Sequence, residues 1–225
     1  MIDNETKING TPLRFFDAEL LKYKVGPCEM GKTYFSSPSS IVPTPIKSSV
    51  GLRKVELTID FSGKTKHDIE HSISKLTAIL REKSEVYLPD GFYYTSMLEK
   101  VGTPSEKAPW IMQLTFTLVS YRHSSVETIV INGDTTVFAN GNIKSPAIVK
   151  IALKSGTEVR INEITVHNIT GEVIIDGISG TVTENGLNKF LDTDMTEFPH
   201  LEPGPNKITV DGDAEIIVSY YPIFF

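Results

Sequence analysis

The strongest constraint on the fold is a hydrophobic period of two. Val55, Leu57, Ile59 and Phe61 alternate with Lys54, Glu56, Thr58 and Asp60, which puts the apolar side chains on one face of a half-buried strand. Met112, Leu114, Phe116 and Leu118 alternate with Gln113, Thr115, Thr117 and Val119 in the same way. Pro89-Asp90-Gly91 separates Val86-Tyr87-Leu88 from Phe92-Tyr93-Tyr94 and reads as a hairpin turn. Farther along, Asn132-Gly133, Asn140-Gly141, Asp176-Gly177, Asn185-Gly186 and Asp211-Gly212 punctuate β-rich runs. Such dipeptides tolerate the positive φ of tight hairpins. Many short strands with closely spaced turns predict an all-β chain, built as a sandwich or jelly roll.

One segment departs from that rule. Ile69, Ile73, Leu76 and Leu80 recur at helical spacing, the stripe of an amphipathic helix over about residues 66–83. Thr65-Lys66-His67-Asp68 supplies a start resembling a capping box, because the Thr hydroxyl accepts from a backbone N–H otherwise left unpaired.

Charge divides the chain. Residues 1–124 hold 16 Lys/Arg and 14 Asp/Glu, whereas residues 125–225 hold 6 and 14, a net of +2 against −8. The one Trp, Trp110, lies in the first part, and no aromatic residue occurs between Ala139 and Lys189. Two domains with a boundary near Ser124-Ser125 are predicted. The total of 22 Lys/Arg against 28 Asp/Glu argues against a sequence-independent nucleic-acid binder, which needs many phosphate-neutralising cations. No apolar run reaches the length of a membrane span. The opening Met1-Ile2-Asp3-Asn4-Glu5 is acidic and shows no secretory signal. Cys28 is the single cysteine, so an intrachain disulfide is impossible. Gly26–Gly51, with Pro27, Pro38, Pro43, Pro45 and six serines, reads as a long loop. It is either solvated or an arm that packs against a neighbouring subunit.

Candidate chemistry is sparse. His67-Asp68-Ile69-Glu70-His71 fits the H-x-x-E-H pattern of a zinc peptidase helix. At 100° per residue, however, both histidines lie opposite the apolar stripe and face water, so no metal site is assigned. Asp192-Thr193-Asp194-Met195-Thr196-Glu197 begins like a calcium loop. It lacks the acidic or amide residue at the fifth position and the Gly at the sixth, and is read as a solvated acidic loop. No nucleophile elbow, P-loop or dinucleotide-binding glycine pattern occurs. The chain is therefore read as no enzyme and as needing no cofactor. The rival class is a carbohydrate-binding β-sandwich for host-surface glycans, for which the scarcity of aromatic platforms in the second domain is unfavourable.

The most specific stretch runs Phe198-Pro199-His200-Leu201-Glu202-Pro203-Gly204-Pro205-Asn206-Lys207-Ile208-Thr209-Val210, followed by the apolar Ala214 to Pro222. The pattern F-P-x-L-x-P-G-x-N-x-I-x-V resembles the C-terminus of phage distal tail proteins, the Dit or siphophage tail component family. Its structural motif residues are Phe198, Pro199, Leu201, Pro203, Gly204, Asn206 and Ile208. Asn9-Gly10 with Asp17 and Leu20-Leu21 resembles the family's opening. Gly141 to Ile148 and Val173 to Asp176 resemble its second domain.

The resemblance implies a virion protein assembled in the host cytoplasm. It implies an N-terminal β-sandwich carrying one helix and a C-terminal galectin-like sandwich. It further implies a homohexameric ring at the tail tip or baseplate that joins the major tail tube protein to the tail-associated hub or lysin protein. DNA would pass through the channel of that ring, and no membrane is engaged. The near-neutral first domain is expected to form the ring, with the acidic second domain, residues 125–212, outside. Residues 213–225 are expected to leave the second domain and add a strand to the first. Ile216, Ile217, Val218, Tyr220, Tyr221, Ile223, Phe224 and Phe225 make this end unusually apolar, and chain ends fray unless something ties them down.

Overall fold

A computed structural model describes the backbone of residues 5–35 and 44–225, and the side chains of residues 5–31 and 51–225. The chain divides into two units, one of residues 1–122 with Phe225 and the other of residues 123–224. The division falls two residues before Ser124.

In the first unit, β1 (Lys7–Ile8) and β2 (Thr11–Pro12) form a small hairpin. The long strands β3 (Ala18–Phe35) and β4 (Thr44–Ser62) follow, then helix α1 (Lys66–Arg81). β5 (Ser84–Tyr87), β6 (Tyr93–Val101), β7 (Ser105–Ala108) and β8 (Ile111–His123) complete the unit. These strands make one antiparallel sheet in the order β2-β1-β5-β6-β8-β4-β3, with β7 and the short C-terminal strand Ile223–Phe224 both paired to β8. Alternation does what the sequence required: Val55, Leu57, Ile59 and Phe61 are buried, and so are Leu114, Phe116 and Leu118 on β8. Cross-strand register sets Leu57 opposite Phe116 and Ile59 opposite Leu114.

The second layer over this face is α1, through Ile69, Leu76 and Leu80, with Ile73 at the margin. Its start is a true capping box. Asp68 N–H donates to Thr65 Oγ1 at 3.2 Å and Thr65 N–H to Asp68 Oδ2 at 2.9 Å, satisfying two otherwise orphaned donors. The turn at Pro89-Asp90-Gly91 is closed by Asp90, whose carboxylate accepts from Phe92 N–H and from the Tyr94 hydroxyl.

The second unit is built from strands in two layers. β9 (Glu127–Ile131), β10 (Thr135–Ala139) and β11 (Ser145–Leu153) come first. β12 (Val159–Ile161), β13 (Ile164–Val166), β14 (Val173–Asp176), β15 (Thr181–Glu184) and β16 (Leu187–Asn188) follow. The last are β17 (Thr193–Asp194), β18 (His200–Leu201), β19 (Gly204–Ile208), β20 (Val210–Asp211), β21 (Ala214–Tyr220) and β22 (Ile223–Phe224). One sheet runs β16-β15-β14-β11-β21-β9, with β18 on β11. Facing it are a β17-β13-β12-β20 sheet and the pair β10-β19. The core between them is aliphatic: Val149, Ile151, Val173, Ile175, Ile216 and Val218 from one side, and Val137, Val159, Ile161, Val166 and Ile208 from the other. An all-β fold is thus what forms, with a single α-helix among the described residues.

Two expectations are corrected. Most of the C-terminal segment, Ala214–Tyr220, does not leave the second unit, and only the two-residue β22 pairs with β8 as expected of the whole segment. β21 lies inside that unit's sheet, with Ile216 opposite Ile151 and Ile131, and Val218 opposite Val149 and Ile129. Its apolar character reflects this central position: Ala214, Ile216, Val218 and Tyr220 are buried on one face, while Glu215 is exposed and Ile217 half-buried on the other. Only Phe225 is grouped with the first unit, where its carbonyl accepts from Arg122 Nη2 at 2.6 Å.

The second correction concerns Gly26–Gly51, which is not a loop over its described part. It forms the paired ends of β3 and β4, from Cys28 opposite Arg53 to Phe35 opposite Thr44. Pro38 and Pro43 lie outside the described residues. Pro27 falls where the register shifts between Val25 and Cys28 on an edge strand, and edges and bulges are where a strand tolerates a residue without N–H.

Candidate functional site

The first unit offers two surfaces. One is the β3–β4 ribbon. β4 pairs with β8 only from Arg53 onward, so Thr44–Leu52 has β3 as its one described partner and the two strands stand off the sheet as an arm. At about 3.3 Å per residue the arm reaches roughly 30 Å. Its base is narrow: a Cβ at Gly51 would meet Glu29 Cβ at 3.1 Å and Glu29 O at 3.2 Å. The buried Arg53 donates from Nη2 to Cys28 Sγ at 2.9 Å, and Met30 and Leu52 are exposed on either strand.

The other surface is the uncovered sheet face. Register places Lys22 and Lys24 of β3, Lys54, Glu56, Thr58 and Asp60 of β4, and Gln113, Thr115 and Thr117 of β8 on it. Thr58 and Thr115 share a hydroxyl contact of 3.3 Å, Gln113 Nε2 donates to Asp60 Oδ1, and Lys54 pairs with Glu99 at 2.8 Å. Cations and carboxylates are nearly balanced there, and hydroxyls fill the space between them.

In the second unit the motif residues are architectural. Leu201 and Ile208 are buried in the core, and Phe198 packs against it. Pro199 O accepts from Ala147 N–H at 2.9 Å, tying the segment to β11. Asn206 holds the turn between β18 and β19. Its Nδ2 donates to Glu202 O and Gly204 O at 2.8 and 2.9 Å, while its Oδ1 accepts from Glu202 N–H at 2.9 Å. Only an amide supplies both donors and an acceptor in that arc. Gly204 has φ +95°, which a side chain would strain, and Pro203 and Pro205 flank it. The same segment lines a recess of about 540 Å³ with Val149, Ile161 and Ile164.

The candidate cation ligands are not brought together. His67 and His71 are exposed on α1, their rings 6.5 Å apart. Asp192, Asp194 and Glu197 have separate partners: Asp192 takes Asn168 Nδ2 and Lys189, Asp194 takes His167 Nε2, and Glu197 takes Lys144. Among the described residues no group of three or more His, Cys, Asp or Glu side chains is placed to hold a metal ion.

Two clusters were not found from sequence. His167 lies between Glu158 Oε2 at 2.8 Å and Asp194 Oδ2 at 3.0 Å, and these hydrogen bonds, Asp194 first, raise its pKa. Glu184 accepts from the N–H groups of Thr170 and Gly171 and from Lys189 Nζ at 3.0 Å. The backbone donor of Thr170, then Lys189, hold its carboxyl down to about 2. Neither cluster has a spacing signature, because its members come from separate strands and loops.

No protein-family model matches the chain, and no curated protein matches it in sequence. Solved structures do. The Dit protein of phage SPP1, described as a paradigm of the hub adsorption apparatus of phages infecting Gram-positive bacteria, matches with a TM-score of 0.74 at 13% identity, covering 98% of this chain and 99% of that one. A chain of the phage P2 baseplate in its activated conformation with Ca matches with a TM-score of 0.58 at 10% identity, over 96% and 97%. The same baseplate with Sr gives a TM-score of 0.56 at 11% identity, over 96% and 97%. Over nearly its whole length, the chain has the fold of the phage Dit protein.

Proposed function

We propose that this chain is a distal tail protein: a structural adaptor at the tip of a phage or prophage-derived tail. Six copies form a ring that joins the tail tube to the hub or baseplate and leaves a channel for DNA. The observation that carries this reading is the SPP1 Dit match across 98% of the chain and 99% of its counterpart. The arm and the uncovered sheet face of the first unit support it. An antiparallel ribbon of roughly 30 Å is long enough to reach a neighbouring subunit. A hydroxyl-rich face with balanced charge suits the wall of a DNA channel, where a basic lining would retain phosphates.

The role is mechanical and calls for no catalytic residue. Electron cryomicroscopy of tails carrying the chain tests it: a six-fold ring of this protein is expected at the junction of tube and hub. Tails with no copy at that junction would count decisively against the proposal.

A further inference from the structure

The loop after β15 has its polarity inverted. Leu187 and Leu191 are 75% and 97% exposed and Phe190 is 43% exposed, while the cation among them, Lys189, is turned inward with 11% of its side chain accessible. Lys189 Nζ reaches Glu184 Oε2 at 3.0 Å, Asp192 Oδ2 at 3.1 Å and Asn168 O at 2.7 Å. An unconstrained loop does the opposite, solvating its lysine and folding its leucines against the core.

This conformation is fixed from several sides. Asn185 and Gly186, with φ of +50° and +80°, close a two-residue hairpin between β15 and β16. Lys189 N–H donates to Val182 O, Asn188 Oδ1 accepts from Phe190 N–H, and the Thr193 hydroxyl donates to Phe190 O. The Phe190 ring sits 6.1 Å from that of Phe198. A set of ion pairs and turn bonds therefore holds three apolar side chains toward water, the arrangement of an interaction site and not of a free surface.

Charge selects the occupant. Lys189 is the one cation of the loop and is already held between two carboxylates, and Asp194 follows with 79% of its side chain exposed. Residues 125–225 carry 6 Lys/Arg against 14 Asp/Glu. A second copy of this unit, or an anionic membrane, meets like charge there, whereas a basic surface is attracted. We infer that the Leu187–Leu191 loop is a preformed plug for another protein of the particle, whose receiving pocket is apolar and edged with Lys or Arg. This rests on the tail-tip reading above.

Photo-cross-linking in assembled tail particles tests it, with a benzophenone amino acid at position 191 and, separately, at position 30 on the first unit's arm. The probe at 191 is expected to link to a protein other than this chain, at an apolar peptide flanked by basic residues. Binding of the purified chain to that protein is expected to weaken at least about tenfold in a Leu187→Asp/Leu191→Asp double variant with unchanged thermal unfolding. It is also expected to weaken as salt rises. Links from 191 only to another copy or to lipid, or none while position 30 links, overturn the inference. Absence of the chain from the particles overturns the tail-tip reading itself.

Discussion

The two units face the same problem, an antiparallel sheet with one apolar face to cover, and meet it with different material. The first uses a helix, whose Ile69, Leu76 and Leu80 sit over Leu57, Phe61 and Phe116 in one core. Its sheet keeps a hydroxyl-rich outer face and extends β3 and β4 into an arm. The second covers its sheet with more strands and carries the chain's net negative charge, because its 14 Asp/Glu face only 6 Lys/Arg. The difference is one of availability. A near-neutral unit with an uncovered face and an arm can pack against copies of itself, while a unit of net −8 is driven apart from its copies. Under the proposed function, assembly falls to the first unit and contact with other proteins to the second.

That division can be broken most severely at β21. Ile216, Val218 and Tyr220 are almost fully buried in the second unit's core, and at about 1.5–3 kcal/mol each their loss removes roughly 5–9 kcal/mol, comparable with the stability of a domain. Deleting residues 213–225 is expected to abolish the protease resistance of residues 125–212 and to leave that of the first unit. The reverse pattern, with the first unit cleaved, would show that the β22–β8 pairing matters more than the place of β21. Leu76→Ala is the matching probe of the first unit. It is expected to cost about 2–5 kcal/mol there, read as a lowered transition for that unit alone in calorimetry.

Smaller effects sharpen the electrostatic side. Glu184 has a depressed pKa, so its contribution is complete above the ordinary carboxylate value and is lost as pH falls toward about 2. Glu184→Gln is expected to destabilise the second unit by about 2 kcal/mol at neutral pH and to flatten its acid-unfolding limb; an unchanged limb would remove the clamp from the account. His167 behaves oppositely. Its raised pKa gives stability that is present below the unfolded-state value and lost as pH rises through the folded one. Imidazole titration by NMR should place it above an unstructured histidine, and His167→Gln should remove the weak neutral-range slope in melting temperature.

Much of this was legible where a local rule carries the information. The alternation of Val55 to Phe61, the capping box at Thr65 and Asp68, and the Asn-Gly turns each follow from a few adjacent residues. The strand pairing of the arm was hidden because its prolines and glycines are loop signals, and only the register with the partner strand shows that Pro27 falls at an edge bulge. The apolar C-terminus signals a packed strand, but sequence cannot say which sheet it joins, and one of its faces is only partly covered. β21 found its neighbours in β9 and β11 of its own unit. Glu184 with Lys189 and His167 with Asp194 were invisible for the same reason: each pair is made by topology. The polarity inversion at Leu191 followed from the first of these pairs, since only an inward lysine leaves the leucines outside.

The central claim is a ring of six copies, and native mass spectrometry of the purified chain at low micromolar concentration tests it most directly. The account predicts a species of six times 24.9 kDa, about 149 kDa, either alone or once tail tube and hub proteins are added. A 24.9 kDa monomer under both conditions would contradict it.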